Sequence, residues 1–309
     1  MNYLENLLRL EGMMFLMILL GAICVKTGVI SIKGRGELTD LILYIIFPCY
    51  IIDCFIKNIG AFSAGGVFRI VMASLILQGM TILLSRILYR HVRPERQKIL
   101  RYAIIVSNSG FLGFPLVGSV FGDQGLIYAS IFLIFQRINN FSVGISYFTS
   151  SRKKGLFVRT ITHPCIASTL IGVAIMLLEW RPPKVICNVL SSVGACSTPL
   201  SMLLIGMVLM GSKTGDRNAC WDRQMAGYSV LRLVLIPGCI FIVCRLAGMD
   251  TVLTGTAVLL AGMPAGTLSV MLGEKYGADS LYASWLVIIT TLLSLITIPL
   301  WCLACIYLI

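Results

Sequence analysis

The sequence predicts an all-α integral membrane protein of ten transmembrane helices, built as two inverted five-helix repeats whose fourth and ninth helices are broken. Three observations predict this fold: a composition suited to lipid, ten apolar windows of spanning length, and an internal repeat. Of the 309 residues, 58% are hydrophobic and only 12% are charged, whereas charged residues make up about 25% of a typical soluble domain. The mean hydropathy is +0.92, so the bilayer is the solvent that this composition suits.

Ten apolar windows account for most of the chain, because a span needs roughly 20 mostly apolar residues. The windows lie near residues 8–28, 38–57, 65–88, 100–121, 125–148, 160–179, 185–210, 226–247, 251–273 and 280–307. The connections between them are too short for a soluble catalytic or nucleotide-binding domain, so ATP-driven transport would need a partner subunit. We divide the chain into a first repeat at 1–149, a cytoplasmic connecting loop at 150–163 and a second repeat at 164–309.

Basic residues concentrate on one side of the predicted membrane. The chain carries 25 Lys and Arg against 13 Asp and Glu, a net charge of +12 that in a soluble protein would suggest nucleic acid. Most of the basic residues fall in alternate connections, near residues 26–35, 86–101, 152–159, 213–223 and 275. The positive-inside rule places these connections in the cytoplasm and both termini outside it. We therefore expect a multi-pass protein of the cytoplasmic (inner) membrane with no nucleic-acid partner.

Four sequence features recur in the same order at an offset of about 150 residues. They pair Gly21 with Gly172, Pro48 with Pro199, Gly113-Phe114-Pro115 with Gly262-Met263-Pro264, and Phe121-Gly122-Asp123 with Tyr276-Gly277-Ala278-Asp279. Four matches at nearly one offset are hard to obtain by chance. Because each half has an odd number of spans, the second half must enter the membrane from the opposite side. The repeat is therefore predicted to be inverted, as in many secondary transporters.

Prolines and glycines in the fourth and ninth spans predict broken helices. Pro115 lacks an amide donor and displaces the carbonyl of Phe111, four residues earlier. Pro264 does the same to the carbonyl of Leu260, and neighbouring glycines permit non-helical dihedrals. Two such breaks at equivalent positions would bring half-helix N-termini toward one central point, which predicts an anion site. The alternative is a pair of packing kinks, since proline and glycine are common in membrane helices.

Two polar side chains are candidates for contacting the anion. Asn108 can donate and accept hydrogen bonds, which suits a carboxylate or its protonated form. Arg137 lies about half way across the fifth span, where an arginine must face the protein interior or a water-filled cavity. It is either a countercharge for an anionic substrate or a structural arginine that satisfies carbonyls of the broken helices. The candidate substrate-binding residues are Asn108, Gly110, Gly113, Pro115, Arg137, Gly262, Pro264, Ala265 and Gly266.

Several classes of site lack their sequence signatures. None of the 13 carboxylates lies at mid-span, whereas sodium and proton antiporters usually carry buried Asp or Glu relays. HExxH, DDxxD, GxSxG and Walker patterns are absent, so we expect no enzymatic activity. His91 and His163 have no cysteine pair nearby at ligand spacing. We therefore expect no metal site and no cofactor.

The fourth span resembles a known family. The run Asn108-Ser109-Gly110-Phe111-Leu112-Gly113-Phe114-Pro115 is similar to the N-x-G-F-x-G-x-P motif of the auxin efflux carrier family. Other segments are also similar to this family. The family's seventh helix resembles Thr198-Pro199-Leu200-Ser201-Met202 with Gly206, and its ninth and tenth helices resemble Met263-Pro264-Ala265 through Tyr276-Gly277 and Ala283-Ser284. The similarity covers nearly the whole chain.

This resemblance implies a ten-helix inverted-repeat fold in which helices four and nine cross, related to bile-acid symporters and sodium/proton antiporters. The family's crossover residues carry over to Asn108, Gly113, Pro115 and Pro264. Family members include plant auxin carriers and bacterial permeases for malate and malonate. This chain lacks the long cytoplasmic loop of many plant carriers, since only residues 150–162 separate its halves, so it is most similar to a bacterial member.

Two functional hypotheses follow. The first is a secondary transporter that moves a small organic anion, a mono- or dicarboxylate, across the cytoplasmic membrane by alternating access of the two repeats. The second is a non-transporting membrane sensor or scaffold that binds such an anion. A channel is disfavoured, because two symmetric breaks at mid-membrane fit an alternating-access site better than a continuous pore. The expected partners are the organic anion and the lipid bilayer, and a homodimer is an open alternative for the assembly.

Overall fold

The computed structural model describes residues 3–31, 34–59, 64–144, 146–148, 164–211 and 222–308. Across these ranges the regular structure is helical, apart from one isolated antiparallel bridge between Ser107 and Ala265. The prediction of an all-α protein is therefore confirmed for the part of the chain that is described. The predicted connecting loop at 150–163 lies outside the described residues.

Fourteen α-helices are described, together with four wide π-turns that join or extend some of them. The first half contains α1 (Tyr3–Lys26), α2 (Arg35–Leu41), α3 (Phe47–Lys57), α4 (Ala64–Ile87), α5 (Pro94–Ile105) and α6 (Phe114–Asn139). The second half contains α7 (Pro164–Leu177), α8 (Lys184–Ala195), α9 (Ser197–Gly211), α10 (Arg223–Val230), α11 (Ile236–Leu246), α12 (Thr251–Ala261), α13 (Leu268–Lys275) and α14 (Ser280–Tyr307). The π-turns are Ile42–Ile46, Ser109–Gly113, Asn140–Gly144 and Leu231–Leu235.

Helical segments of membrane-spanning length recur along the described residues. Six are long and apolar enough to cross a bilayer: Gly36–Lys57, Gly65–Ile87, Ser109–Asn139, Lys184–Val208, Arg223–Leu246 and Ser280–Tyr307. Three shorter apolar helices, Gly12–Lys26, Pro164–Leu177 and Thr251–Ala261, coincide with the predicted first, sixth and ninth spans. These lengths and compositions are those of a helical membrane protein.

Two glycines of the predicted repeat have the same positive φ. Gly122 has a φ of +64° and a ψ of −158° and kinks α6 at the boundary between the predicted fourth and fifth spans. Gly277 also has a φ of +64° and lies between α13 and α14. Residues with a Cβ are strained at such a φ, so glycine is required by the dihedral angle at both points. Each turn therefore leads the chain into the predicted fifth or tenth span.

Three of the π-turns directly precede a helix whose second residue is proline. The turns Ile42–Ile46, Ser109–Gly113 and Leu231–Leu235 are followed by Pro48, Pro115 and Pro237. In each case the residue before the proline donates its N–H to the carbonyl five residues earlier. The wider turn offsets the missing proline donor and relieves the ring's clash with the preceding turn. Pro115 therefore distorts its helix without interrupting it, and the chain unwinds upstream, at residues 106–108.

Two ion pairs of one arginine link α5 to two helices of the second half. Arg96 Nη1 lies 3.1 Å from Asp222 Oδ2, and Arg96 Nε lies 3.0 Å from Asp279 Oδ2. The same two aspartates cap helices, since Asp222 accepts from the Met225 N–H at the start of α10 and Asp279 accepts from the Tyr282 N–H at the start of α14. One arginine thus joins three helix N-terminal regions.

Candidate functional site

The helix breaks of the fourth and ninth spans lie against each other. α5 ends at Ile105, and Val106 is extended, with a φ of −116° and a ψ of 109°. α12 ends at Ala261 and α13 begins at Leu268, so residues 262–267 are not helical. We refer to residues 106–108 and 262–267 together as the crossing. Within it, Ser107 pairs with Ala265, and the Asn108 N–H donates to the Pro264 carbonyl over 2.9 Å.

Side chains complete the hydrogen bonding of the crossing. Ser109 Oγ donates to the Leu260 carbonyl over 3.0 Å, and this is the carbonyl that Pro264 was predicted to release. Gln136 Nε2 donates to Ser107 Oγ over 3.0 Å. On the other side, the Ala265 N–H donates to Thr290 Oγ1 over 3.1 Å. Side chains thus satisfy the Leu260 carbonyl and the Ala265 N–H, as unwound backbone in hydrocarbon requires.

Glycines permit the close approach of the two broken segments. A Cβ at Gly113 would lie 2.8 Å from Met263 Cγ, and a Cβ at Gly266 would lie 3.1 Å from the Val106 carbonyl oxygen. At Gly262 the nearest atom, Pro237 Cβ, would be 3.3 Å away. Gly110 differs, because a Cβ there would meet nothing within 4 Å.

A cavity of about 380 Å³ borders the crossing. Its polar lining includes Ser107, Asn108, Gln136, Arg137 and Asn140. Its apolar lining includes Leu43, Phe111, Leu133, Leu268 and Leu272. The start of α13 and the π-turn that leads into α6 both reach its wall, so two helix N-terminal regions face the same space. Such ends carry partial positive charge.

Two residues that line this cavity each carry a buried side-chain nitrogen with no hydrogen-bond partner among the described residues. These nitrogens are Nδ2 of Asn108, a residue that is 2% exposed, and Nη1 of Arg137. An unsatisfied buried donor costs about 1–3 kcal/mol, and more where the donor is charged. Both nitrogens would therefore gain from an acceptor that reaches them.

Sequence reasoning missed the role of Arg232. This residue is 1% exposed, and its Nε donates to the Met263 carbonyl over 2.9 Å while its Nη1 donates to the Ile104 carbonyl over 3.1 Å. The structural role considered for Arg137, satisfying carbonyls of the broken helices, is thus performed by Arg232. An arginine inside an apolar span was the available signal, but it does not specify which carbonyls the side chain reaches.

The nine candidate residues fall into two groups. Asn108, Gly110, Arg137 and Gly266 line the cavity. The others build the crossing or pack beside it: Gly113, Pro115, Gly262, Pro264 and Ala265. Within the described ranges, no cluster of three or more His, Cys, Asp and Glu side chains could hold a metal ion.

Comparisons with known proteins place this fold in a family. The family described as "Membrane transport protein" matches residues 13–302. A protein of Methanothermobacter thermautotrophicus named "Uncharacterized transporter" is 24% identical over 300 residues, covering 92% of this chain and 94% of the relative. A similarly named protein of Methanocaldococcus jannaschii is 22% identical, covering 93% and 94%. A protein of Rhizobium meliloti named "Putative malonate transporter" is 28% identical over 208 residues, covering 64% and 63%.

The family match covers both broken helices and the residues that line the cavity beside them, and it agrees with the motif of the predicted fourth span. The resemblance to auxin efflux carriers is confirmed. The chain belongs to the membrane transport protein family, and it is a multi-pass membrane protein of the transporter class.

Proposed function

We propose that the protein is a secondary transporter, not an enzyme, and that it moves a small organic anion across the cytoplasmic membrane by alternating access. The observation that carries this proposal is the pair of unpartnered buried donors, Asn108 Nδ2 and Arg137 Nη1, at a cavity beside two broken helices. A guanidinium and an amide can together donate to both oxygens of a carboxylate. Helix N-terminal regions at the same wall add partial positive charge.

The substrate class is a mono- or dicarboxylate. The resemblance to a protein named as a malonate transporter supports a small organic acid. The cavity has polar groups near the crossing and leucine side chains beyond them, so its lining suits a carboxylate attached to a short carbon skeleton. Arg137 is the countercharge in this proposal, because two carbonyls of the broken helices, those of Ile104 and Met263, already accept hydrogen bonds from the guanidinium of Arg232.

We propose that ten helices form two inverted repeats, at 1–149 and 164–309, joined by a cytoplasmic loop, with broken helices four and nine crossing at the centre. The equal φ of Gly122 and Gly277 and the pairing of Ser107 with Ala265 support this arrangement. Both termini would then lie outside the cytoplasm. The cavity also reaches Pro164 and Leu272, near helix ends that adjoin basic connections. It would therefore open toward the cytoplasm in this conformation.

Counterflow in proteoliposomes tests the transport proposal. Vesicles loaded with unlabelled malonate, malate or a monocarboxylate such as acetate are diluted into the same labelled acid. We expect uptake of at least one acid by the parent protein, a large loss in Arg137→Leu and partial retention in Arg137→Lys, because lysine keeps the charge but loses the planar fork. Correct folding of each variant is checked by its melting temperature.

Two results would count against this proposal. Binding of an acid without any flux would favour the sensor or scaffold hypothesis. Equal transport by the parent, Arg137→Leu and Arg137→Lys would remove Arg137 from the substrate site.

A further inference from the structure

Arg232 lies beside the two broken helices and donates hydrogen bonds to a carbonyl oxygen of each. Its side chain donates to Ile104 near the C-terminal end of α5 and to Met263 just after the end of α12. One turn earlier, the Tyr228 hydroxyl donates to the Ala103 carbonyl over 2.9 Å. Two neighbouring side chains of the eighth span therefore satisfy successive orphan carbonyls of α5.

The electrostatics of this position favour a cation. The C-terminal ends of helices carry partial negative charge, and main-chain carbonyl oxygens are ligands for hard cations as well as hydrogen-bond acceptors. Arg232 is 1% exposed and forms no ion pair with any carboxylate of the described residues. Its charge is therefore balanced by carbonyl dipoles of both broken helices. The planar guanidinium can reach two carbonyls in fixed directions, which a single ammonium group does less well.

We propose that Arg232 is the resident cation of the crossing. It holds the position at which a bound inorganic cation would otherwise join the Ile104 and Met263 carbonyls, so the crossing keeps its geometry without such an ion. Arg232 is a positioning residue, because it acts on the substrate site through the crossing backbone that also carries Asn108. A consequence, which rests on the proposed function, is that anion binding does not depend on sodium.

Thermal unfolding of the purified protein in a series of cations tests the structural part without any organic acid. Melting is measured in one detergent at constant ionic strength, with choline, sodium or millimolar guanidinium as the varied cation. We expect the parent to melt at the same temperature in choline and in sodium. Arg232→Ala should melt several degrees lower in choline and recover part of that loss with guanidinium or sodium, because either cation can enter the vacated position. The melting temperature of Arg232→Lys in choline should lie between those of the parent and Arg232→Ala.

Tyr228→Phe is the matched control, since it removes a donor to the same helix end without removing a charge. We expect it to melt at a lower temperature than the parent. Its melting temperature should be the same in choline, in sodium and in guanidinium. A role for Arg232 in packing alone would lower stability equally in every cation, and that result would overturn the proposal. A rise in the parent's melting temperature on adding sodium would also overturn the proposal that Arg232 is the resident cation. If Arg232→Ala does not fold, this measurement on the parent tests the proposal alone.

The transport consequence is measured separately, by malonate counterflow in sodium and in choline media. Equal rates in the two media are expected for the parent protein. A rate that requires sodium would contradict the proposed resident cation. A complete absence of malonate flux in either medium would bear on the proposed function alone, because the melting series does not involve substrate.

Discussion

Gly110 and Gly113 lie three residues apart in one motif, yet their surroundings differ. A methyl group added at Gly110 would meet open space beside the cavity, whereas one added at Gly113 would lie 2.8 Å from Met263 Cγ and 3.0 Å from Leu260 Cδ2. We expect Gly113→Ala to lower the stability by about 1–3 kcal/mol through overpacking. Gly110→Ala should melt close to the parent and weaken anion binding by narrowing the cavity.

Melting temperature and malonate binding, measured on the same samples of both variants, check this expectation. Each variant serves as the control for the other, because the substitution is identical and the two sites share one segment. A lower melting temperature for Gly110→Ala than for Gly113→Ala would contradict the described packing.

The two intramembrane arginines show what a single residue's sequence context leaves open. Arg137 and Arg232 both lie inside apolar spans, and the cost of a charge at that depth predicts that both face the interior. Only the fold distinguishes them. Arg232 donates to carbonyls of residues 31 and 128 positions away in sequence, while Arg137 lines the cavity and has a buried nitrogen without a partner.

The two prolines of the broken helices, equivalent by sequence, lie in different local structures. Pro115 is the second residue of α6 and follows a π-turn. Pro264 lies in the non-helical segment 262–267, where its carbonyl accepts from the Asn108 N–H, and the Leu260 carbonyl before it already accepts from Ser109 Oγ. Sequence reasoning alone predicts that either Pro→Ala change restores a helical hydrogen bond and preserves or raises stability.

The structure leads to a different expectation for each proline. Pro115→Ala should keep or raise the melting temperature, because the new N–H can donate to the Phe111 carbonyl. Pro264→Ala should lower it, because a helical N–H there would compete with Ser109 for the Leu260 carbonyl and disturb the pairing with Asn108. Both should weaken malonate binding, Pro264→Ala by about tenfold, which is roughly 1.4 kcal/mol. Parent affinity in both variants would mean that the prolines are packing kinks.

The charge distribution predicts the orientation of the chain in the membrane, and one cysteine can test that prediction. Cys220 belongs to the basic connection after the seventh span and lies outside the described residues. We expect it to face the cytoplasm. In a variant that retains Cys220 alone, an impermeant thiol reagent should fail to label intact cells and should label inverted vesicles.

Arg181→Cys in the cysteine-free background is the matched control, because Arg181 is exposed in a connection predicted to lie on the opposite side. It should be labelled in intact cells. Labelling of Cys220 from outside, with Arg181→Cys protected, would reverse the predicted topology.

The sequence by itself determined that the chain suits a bilayer, that it is helical and that two of its helices are broken. Apolar windows and proline–glycine patterns act within about 20 residues of chain, so they are readable without a fold. It did not predict the positive φ of Gly122 and Gly277, because glycine permits that dihedral angle without imposing it.

Only the tertiary structure decided which groups meet at the crossing. The Ser109 bond to the Leu260 carbonyl spans 151 residues of sequence, and the bond from Arg232 to Ile104 spans 128. The π-turn before Pro115 likewise moved the interruption upstream of the proline, to a place where the opposite backbone could pair with it. A freed backbone group must find a partner, but the sequence near that group does not encode where the partner comes from; the packing of distant helices does.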